Sequence, residues 1–267
     1  MKNTILNFRE AKANNKKLTL LTAHNYYMSK IIDSCSIDAI LVGDSLGMVA
    51  LGYENTLPVT INDMVHHSKA VANGAKNSFI ICDMPFMSYT TSNYDAVKNA
   101  GILIKEGMCH AVKLEGGCEI SSTVKEIVNS KIPVMGHIGL TPQSVNNLGG
   151  YKVQGKNVKE IKSLIESAKA LEDSGVFSIV LECIPYEIAK LIDESISIPT
   201  IGIGSGKYTT GQILVLEDML GLFDNLNPKF VKQYCNLNKE IQNCINEYIS
   251  DVCNGNFPLD SHSFSIN

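Results

Sequence analysis

The sequence predicts an α/β protein built as a (β/α)8, or TIM, barrel. Short apolar runs alternate with longer segments of helical periodicity along most of the chain, as parallel strands alternate with their crossover helices. Several of the runs, of which DAILVGDSLG at 38–47 is the clearest, are followed at once by a charged or polar residue. In a barrel of parallel strands these positions all lie at one mouth, where barrel enzymes hold their catalytic groups.

Eight strands are predicted from the apolar runs. They are 18–23, 39–42, 79–82, 111–114, 133–138, 178–182, 200–203 and the segment GQILVLED, which begins at Gly211. The eighth strand departs from the pattern, because the short gap before it leaves no room for a full helix. Eight β units of this kind nevertheless favour a closed barrel over an open sheet.

The predicted helices lie between and beyond these strands. They are 3–16, 26–36, 61–73, 93–107, 121–130, 158–173, 186–195 and 228–253. Thr60 or Asn62 is a suitable cap for the third helix. The first helix offers Ile5, Leu6 and Phe8 to pack beneath the barrel, and the last either closes the barrel or contributes to subunit contacts.

The chain is expected to form a single domain over residues 1–267, with an N-terminal helix and a C-terminal helical extension. Its 267 residues suit one large α/β domain, and no internal repeat divides them. The segment 141–156 is rich in Gly, Asn and Gln and has no periodicity. Loops of this length in compact domains usually serve as lids or binding loops.

Composition narrows the range of partners. A net charge of −4 provides no basic stripe for nucleic acid, so small molecules are the expected partners. The sequence contains neither an apolar run long enough to span a membrane nor a signal-peptide core, and its eight cysteines include no Cys-x-x-Cys pair. We therefore expect a cytoplasmic protein with free thiols.

Asp44 and Asp83 follow neighbouring strands and are candidate metal ligands. Mg²⁺ favours one or two carboxylates together with waters and substrate oxygens, and Glu115 could join them directly or through water. The alternative is that each acid only caps the turn or helix after it, which is the better interpretation for any one of them alone. Three acids on successive units favour the shared site.

Three more residues at strand ends are candidates for chemistry. Lys113 alternates with two apolar neighbours and so points into the barrel, where it needs an anionic partner such as a nearby acid or a substrate carboxylate; otherwise it snorkels to the surface. Glu182 ends an apolar strand, and it is either a general base or the salt-bridge partner of a lysine such as Lys113. His137, between two glycines, binds substrate or is a hydrogen-bonded core residue.

The segment IGIGSG at 201–206 contains three glycines but does not predict a dinucleotide site. That fingerprint requires a helix to open at its third glycine and an acid about twenty residues later. Here KYTTGQ follows instead. A tight turn at the barrel mouth explains the glycines better.

Taken together, the motifs resemble the ketopantoate hydroxymethyltransferase family over nearly the whole chain. The matching segments are LVGDSLGM (41–48), TLPVT (56–60), DMPFM (83–87), VKLEGG (112–117), GHIGLTPQSV (136–145), GGYKVQG (149–155), LECIP (181–185) and IGIGSG (201–206). The resemblance implies a TIM barrel of the phosphoenolpyruvate mutase-like type, usually assembled as a homodecamer. It also implies transfer of a hydroxymethyl group from methylene-tetrahydrofolate to 3-methyl-2-oxobutanoate, which gives ketopantoate for pantothenate synthesis.

The resemblance assigns roles to residues of this chain. Asp44 and Asp83 would hold Mg²⁺, with Glu115 completing its surroundings. Asp44, Ser45, Asp83 and Lys113 would contact the 2-oxo acid, His137 would line the pocket, and Glu182 would accept the proton. These assignments agree with the chemistry suggested by the residues alone, because a 2-oxo acid can chelate a divalent metal.

The chain departs from the family pattern at two places. His24 and Asn25 stand where the family usually has tyrosine and aspartate, and Thr210 replaces an acid before Gly-Gln. Two alternatives follow: a catalytically silent barrel that only binds or assembles, and a lyase or mutase acting on another 2-oxo acid. Such relatives often have a catalytic cysteine in a mobile loop, and 141–156 contains none.

Overall fold

The computed structural model describes residues 3–222 and 228–266, and its core is a closed barrel of eight parallel strands. The strands are β1 Leu18–Thr22, β2 Ala39–Val42, β3 Phe79–Asp83, β4 Ala111–Glu115, β5 Val134–Gly139, β6 Ser178–Glu182, β7 Thr200–Ile203 and β8 Gly211–Leu214. Each strand pairs with the next in sequence, and β8 closes the barrel on β1 with Leu18 opposite Gly211. The predicted fold class is confirmed.

The α-helices of the described residues follow the predicted alternation. They are α1 Ile5–Ala13, α2 Tyr26–Ser34, α3 Leu46–Val49, α4 Ile61–Gly74, α5 Asn93–Lys105, α6 Ser121–Asn129, α7 Val145–Leu148, α8 Val158–Asp173, α9 Tyr186–Ser195, α10 Leu216–Met219 and α11 Leu237–Asn254. Thr60, rather than Asn62, caps α4, and its hydroxyl and the Asp63 carboxylate satisfy each other's backbone N–H groups. The chain divides into two compact units, Met1–Val215 and Leu216–Asn267.

Helix α1 covers the N-terminal end of the barrel. Phe8 is fully buried. Its ring centroid lies 5.8 Å from that of Phe79 and 5.2 Å from that of Phe177, both in edge-to-face contacts. Ile5 packs against the same apolar cluster, but Leu6 is 57% exposed, so its predicted place beneath the barrel is wrong. Leu6 and Phe8 are two residues apart, a spacing that puts side chains on different faces of a helix.

The segment between β7 and β8 takes the place of a helix. Gly204 and Gly206 have φ of +64° and +81°, so these two glycines form a turn, as predicted. Gly202 instead lies in β7, where a Cβ atom would come within 2.7 Å of Thr209 Oγ1. The Gln212 side chain donates to the Gly206 carbonyl at 2.8 Å and to Thr209 Oγ1 at 2.8 Å, which fastens the loop to β8. The described residues 207–210, between the third glycine and β8, contain no helix, so the helix that the dinucleotide fingerprint requires at this glycine is not formed.

The predicted bounds of two elements, the eighth strand and the C-terminal helix, are wrong. The eighth strand ends at Leu214 instead of continuing through LED, and the short helix α10 begins at Leu216. The C-terminal helix begins at Leu237, not at residue 228. Asn236 caps α11, because its side-chain oxygen accepts a hydrogen bond from Lys239 N at 3.0 Å.

Candidate active site

The carboxyl ends of the strands bring the predicted residues together in the barrel mouth. Asp44 follows β2, Asp83 ends β3, Lys113 and Glu115 lie on β4, and His137 lies on β5. All five side chains belong to residues at most 6% exposed. Ionisable groups are almost never buried to this degree unless they are paired, so their mutual contacts determine what the site can do.

Asp44 and Asp83 are in direct contact. The backbone N of Asp44 donates to Asp83 Oδ2 at 3.0 Å. Burial, followed by the charges of Asp83 and Glu115, raises the pKa of Asp44 well above its usual value. Burial also raises the pKa of Asp83, although Lys113 opposes it. Without a bound cation, the site therefore disfavours ionisation of both carboxyl groups.

Lys113 is the cation of this cluster. Its Nζ lies 3.1 Å from Asp83 Oδ1 and 3.6 Å from Glu115 Oε1. Burial lowers the pKa of Lys113, but the charges of Asp83, Glu115 and Asp44 outweigh it and raise that pKa, so the side chain stays protonated. Burial likewise opposes ionisation of Glu115, yet Lys113 and His137 lower its pKa. The predicted inward direction of Lys113 and its anionic partners are confirmed.

His137 lies between two carboxylates. Its Nδ1 is 3.4 Å from Glu115 Oε1, and its Nε2 is 3.2 Å from Glu182 Oε2. Burial and Lys113 lower the pKa of His137, but the nearby carboxylates of Glu115 and Glu182 raise it to about 9. His137 Nδ1 also lies 3.1 Å from Lys113 Nζ, within hydrogen-bonding distance.

Glu182 ends β6, and its side chain is 16% exposed, against 3–4% for Lys113, Glu115 and His137. The predicted alternative, a pair between Glu182 and Lys113, is not formed, since Glu182 pairs with His137 and Lys113 with Asp83 and Glu115. Glu182 is thus a carboxylate held by one imidazole, near the open side of the cluster. A carboxylate in this position can reach a substrate proton.

Ser45 contributes a buried hydroxyl with no hydrogen-bond partner among the described residues. A Cβ atom added to Gly43 would lie 3.0 Å from Ser45 Oγ and 3.5 Å from Asp83 Oδ2, so this hydroxyl is near the carboxylates. Buried hydroxyls are normally hydrogen-bonded. An unpaired one beside the cluster is a natural contact for a ligand oxygen.

Gln143 and Tyr89 belong to the site but were not predicted from the sequence. Gln143 lies in a single 3₁₀ turn, Pro142–Ser144, and its Nε2 is 2.8 Å from Asp44 Oδ2. Its backbone N is 3.0 Å from Glu115 Oε2, and Tyr89 Oη is 2.8 Å from Gln143 Oε1. The only signal was the composition of the loop 141–156, which predicted binding for the segment but singled out no residue.

The donor set suits a hard divalent cation. Asp44 and Asp83 supply two adjacent carboxyl groups, and Mg²⁺ typically takes one or two carboxylates with waters and substrate oxygens. Within residues 3–222 and 228–266, no three His, Cys, Asp or Glu side chains converge as a complete ligand cluster. Both Glu115 oxygens face neighbours of their own, namely Lys113, His137 and Gln143 N, which favours its contact with a metal through water.

The three residues that depart from the family's sequence pattern make different contacts in the structure. Asn25 caps α2 by accepting from Met28 N at 2.9 Å, a role that aspartate and asparagine perform equally well. The backbone O of His24 is 2.6 Å from His67 Nδ1. Thr210 precedes β8 at the N-terminal end of the barrel, away from the mouth, where its hydroxyl lies 3.2 Å from Asp193 Oδ1.

A closed (β/α)8 barrel with a buried cluster of carboxylates, a lysine and a histidine at its mouth defines a barrel enzyme that acts on a small polar molecule. Within this class, the chain belongs to the ketopantoate hydroxymethyltransferase family, whose sequence profile matches residues 2–260.

The chain is similar over its full length to curated members of the family. It is 59% identical over 266 residues to a 3-methyl-2-oxobutanoate hydroxymethyltransferase of Clostridium botulinum (strain 657 / Type Ba4), covering 100% of this chain and 97% of the relative. It is 57% identical to the enzyme of the same name from Enterococcus faecalis, with the same coverage of both chains.

Solved structures share the fold at low sequence identity. A phosphonopyruvate hydrolase in complex with oxalate and Mg²⁺ aligns with a TM-score of 0.63 at 10% identity, covering 99% of this chain and 92% of that one. A 2,3-dimethylmalate lyase, described as a member of the PEP mutase/isocitrate lyase superfamily, aligns with a TM-score of 0.58 at 13% identity, covering 80% and 78%. The barrel thus has the predicted phosphoenolpyruvate mutase-like architecture.

Proposed function

We propose that this protein transfers a hydroxymethyl group from methylene-tetrahydrofolate to 3-methyl-2-oxobutanoate, giving ketopantoate for pantothenate synthesis. The observation that carries the proposal is the full-length identity of 57–59% to enzymes of that name, together with a strand-end cluster that retains every predicted acidic and basic residue. The matching segments include all the strand ends that form the site.

Asp44 and Asp83 would hold Mg²⁺, with Glu115 linked through water. Bound Mg²⁺ supplies a Lewis acid that stabilises negative charge on a keto oxygen. Asp44, Ser45, Asp83 and Lys113 would contact the 2-oxo acid: the unpaired Ser45 hydroxyl donates to a substrate oxygen, and the Lys113 ammonium attracts the carboxylate. His137 would line the pocket.

Glu182 would remove the proton from C3 of the 2-oxo acid. Its carboxylate is the most exposed of the paired acids in the cluster, and His137 Nε2 orients it at 3.2 Å. The resulting enolate carbon forms a bond to the methylene carbon of the folate, and both bonds from that carbon to the folate nitrogens break. One nitrogen takes up the proton that Glu182 removed, and the other takes up a proton from water. Water supplies the hydroxyl oxygen, because the carrier brings only a methylene group.

Turnover tests the proposal directly. Purified protein with both substrates and Mg²⁺ should form ketopantoate, EDTA should abolish its formation, and excess Mg²⁺ should restore it. Failure to form ketopantoate while both substrates bind would identify a catalytically silent barrel. A product formed from a 2-oxo acid without folate would identify a lyase or mutase instead.

The protein would act as a cytoplasmic homo-oligomer, a decamer by family resemblance. Within the described residues, no helix has both the length and the apolar character needed to cross a bilayer. Helix α11 has exposed apolar side chains at helical spacing, namely Ile241, Ile245, Tyr248, Ile249 and Val252. A stripe of this kind on one helix face is typical of a subunit contact.

A further inference from the structure

Gln143 connects three strand ends of the site through one side chain and one backbone N–H. Its Nε2 donates to Asp44 Oδ2 at 2.8 Å and to the Met84 carbonyl at 2.9 Å. Its backbone N donates to Glu115 Oε2 at 3.0 Å. The residue therefore contacts the segments that follow β2 and β3 as well as the end of β4, although it lies after β5.

The orientation of the Gln143 amide is fixed by its partners. The Asp44 carboxylate and the Met84 carbonyl are acceptors, so the amide nitrogen must face them. The amide oxygen then faces Tyr89 Oη at 2.8 Å, and this hydroxyl lies 3.0 Å from the Glu115 carbonyl. Gln143 and Tyr89 are 6% and 3% exposed, so water does not compete for these bonds.

We propose that Gln143 is a positioning residue that presents the Asp44 and Glu115 carboxylates to the metal and the 2-oxo acid. By occupying Asp44 Oδ2, the amide directs Oδ1 of that carboxylate towards a ligand. By holding Glu115 Oε2 through its backbone N, the same residue fixes the acid that pairs with Lys113 and His137. This inference rests on the proposed function, because it assigns Gln143 a role towards the same metal site.

Calorimetric titration of the substrate-free protein with Mg²⁺ tests the inference. Gln143→Leu keeps the approximate side-chain size and the backbone N–H but removes the amide that donates to Asp44 and Met84. We expect it to weaken Mg²⁺ binding about 10–100-fold, the usual effect of removing a partner of a metal ligand. Gln154→Leu is the matched control: it lies in the same loop, and its side chain donates to the Lys152 carbonyl at 2.9 Å rather than to any group of the site among the described residues. Its Mg²⁺ affinity should equal that of the wild type.

Thermal unfolding and kinetics separate positioning from a purely structural role. A positioning role predicts that Gln143→Leu unfolds cooperatively, needs more Mg²⁺ for half-maximal turnover and keeps the wild-type KM for the folate. A folded variant with wild-type Mg²⁺ affinity would overturn the inference. If Gln143→Leu does not fold, the near-isosteric Gln143→Glu is measured in the same way, and failure of both to fold would also overturn it.

The same titration distinguishes failure of the inference from failure of the proposed function. If the wild type neither binds Mg²⁺ nor forms ketopantoate, the proposed function is wrong. If the wild type does both and Gln143→Leu binds Mg²⁺ as tightly, the proposed function stands and only the role of Gln143 is wrong.

Discussion

Lys113 is the buried cation between the acids of the site. It is 4% exposed, and it lies 3.1 Å from Asp83 Oδ1 and 3.6 Å from Glu115 Oε1. Removing one partner of a buried ion pair leaves an uncompensated charge, which costs far more than the loss of a surface pair. The stability of the metal-free protein should therefore depend on this one side chain.

We expect Lys113→Met to lower the free energy of unfolding by about 3–5 kcal/mol in urea titrations without Mg²⁺, because Asp83 and Glu115 then stay buried without the lysine that pairs with them. Lys162→Met is the control, since its pair with Glu166 is a surface one with side chains 76% and 59% exposed, and it should cost no more than about 0.5 kcal/mol. Equal losses in the two variants would contradict the view that Lys113 compensates the buried acids.

The sequence predicted the charged residues at the strand ends but not the residues that hold them. Lys113 and Glu182 could be predicted from the sequence, because strand alternation determines the direction of each side chain and the barrel determines where the strands end. Gln143 and Tyr89 lie in loops without any period, and their contacts span 99 and 54 positions of sequence. The pairing of Glu182 with His137 rather than Lys113 depends on the barrel register, which strand patterns do not specify.

Asp33 connects two secondary-structure elements, because its side chain links the end of helix α2 to the turn before strand β3 by hydrogen bonds. Its carboxylate accepts hydrogen bonds from the backbone N of Lys76, Asn77 and Ser78 and from the Ser78 hydroxyl. Burial would raise the pKa of Asp33, but these bonds lower it from 3.8 to about 2. The ionised form thus stabilises the junction of two βα units.

Asp33→Asn should lower the free energy of unfolding by about 2–3 kcal/mol near neutral pH, since each unit of pKa shift is worth about 1.4 kcal/mol. The pKa is lower in the folded protein, so this stabilisation is complete above the unfolded value near 3.8. It is lost as the pH falls towards 2. Urea titrations of both proteins between pH 7 and pH 2 should show the difference shrinking, and a constant difference would contradict the assigned role.

The element boundaries show where sequence patterns succeed and fail. Strands β2, β6 and β7 and helices α8 and α9 match their predicted bounds. The strands are short apolar runs that end at polar or turn residues, and the helices are longer segments with a clear helical period. The short helices α3 and α7 were missed, since single turns carry too few residues to show a period. Residues 228–236 are not helical because the Asn236 cap starts α11 later.

At the scale of the whole molecule, the exposed apolar stripe of α11 supports assembly of several chains. Ile245 and Ile249 are 52% and 51% exposed and lie one helical turn apart. Replacing them with lysines would place charges in the middle of the proposed contact, where desolvating an unpaired charge is costly. Assembly should then fail while the barrel remains folded.

We expect the double variant Ile245→Lys/Ile249→Lys to sediment as a smaller species than the wild type, whose decamer would have ten times the 29.1 kDa mass of one chain. Glu247→Lys is the control, because position 247 lies on the opposite face of α11, and it should leave the assembly intact. Analytical ultracentrifugation distinguishes these results. An unchanged sedimentation coefficient in the double variant would rule out this stripe as the contact.

The proposed function requires the cluster at the barrel mouth to activate a 2-oxo acid by removal of its C3 proton. Exchange of that hydrogen in 3-methyl-2-oxobutanoate, followed by proton NMR in deuterated water with Mg²⁺ and no folate, measures the step alone. Glu182→Gln should slow the exchange about 100–10,000-fold, the usual contribution of a general base, whereas Glu187→Gln on the adjacent helix should exchange at the wild-type rate. Exchange by Glu182→Gln at the wild-type rate would contradict the account.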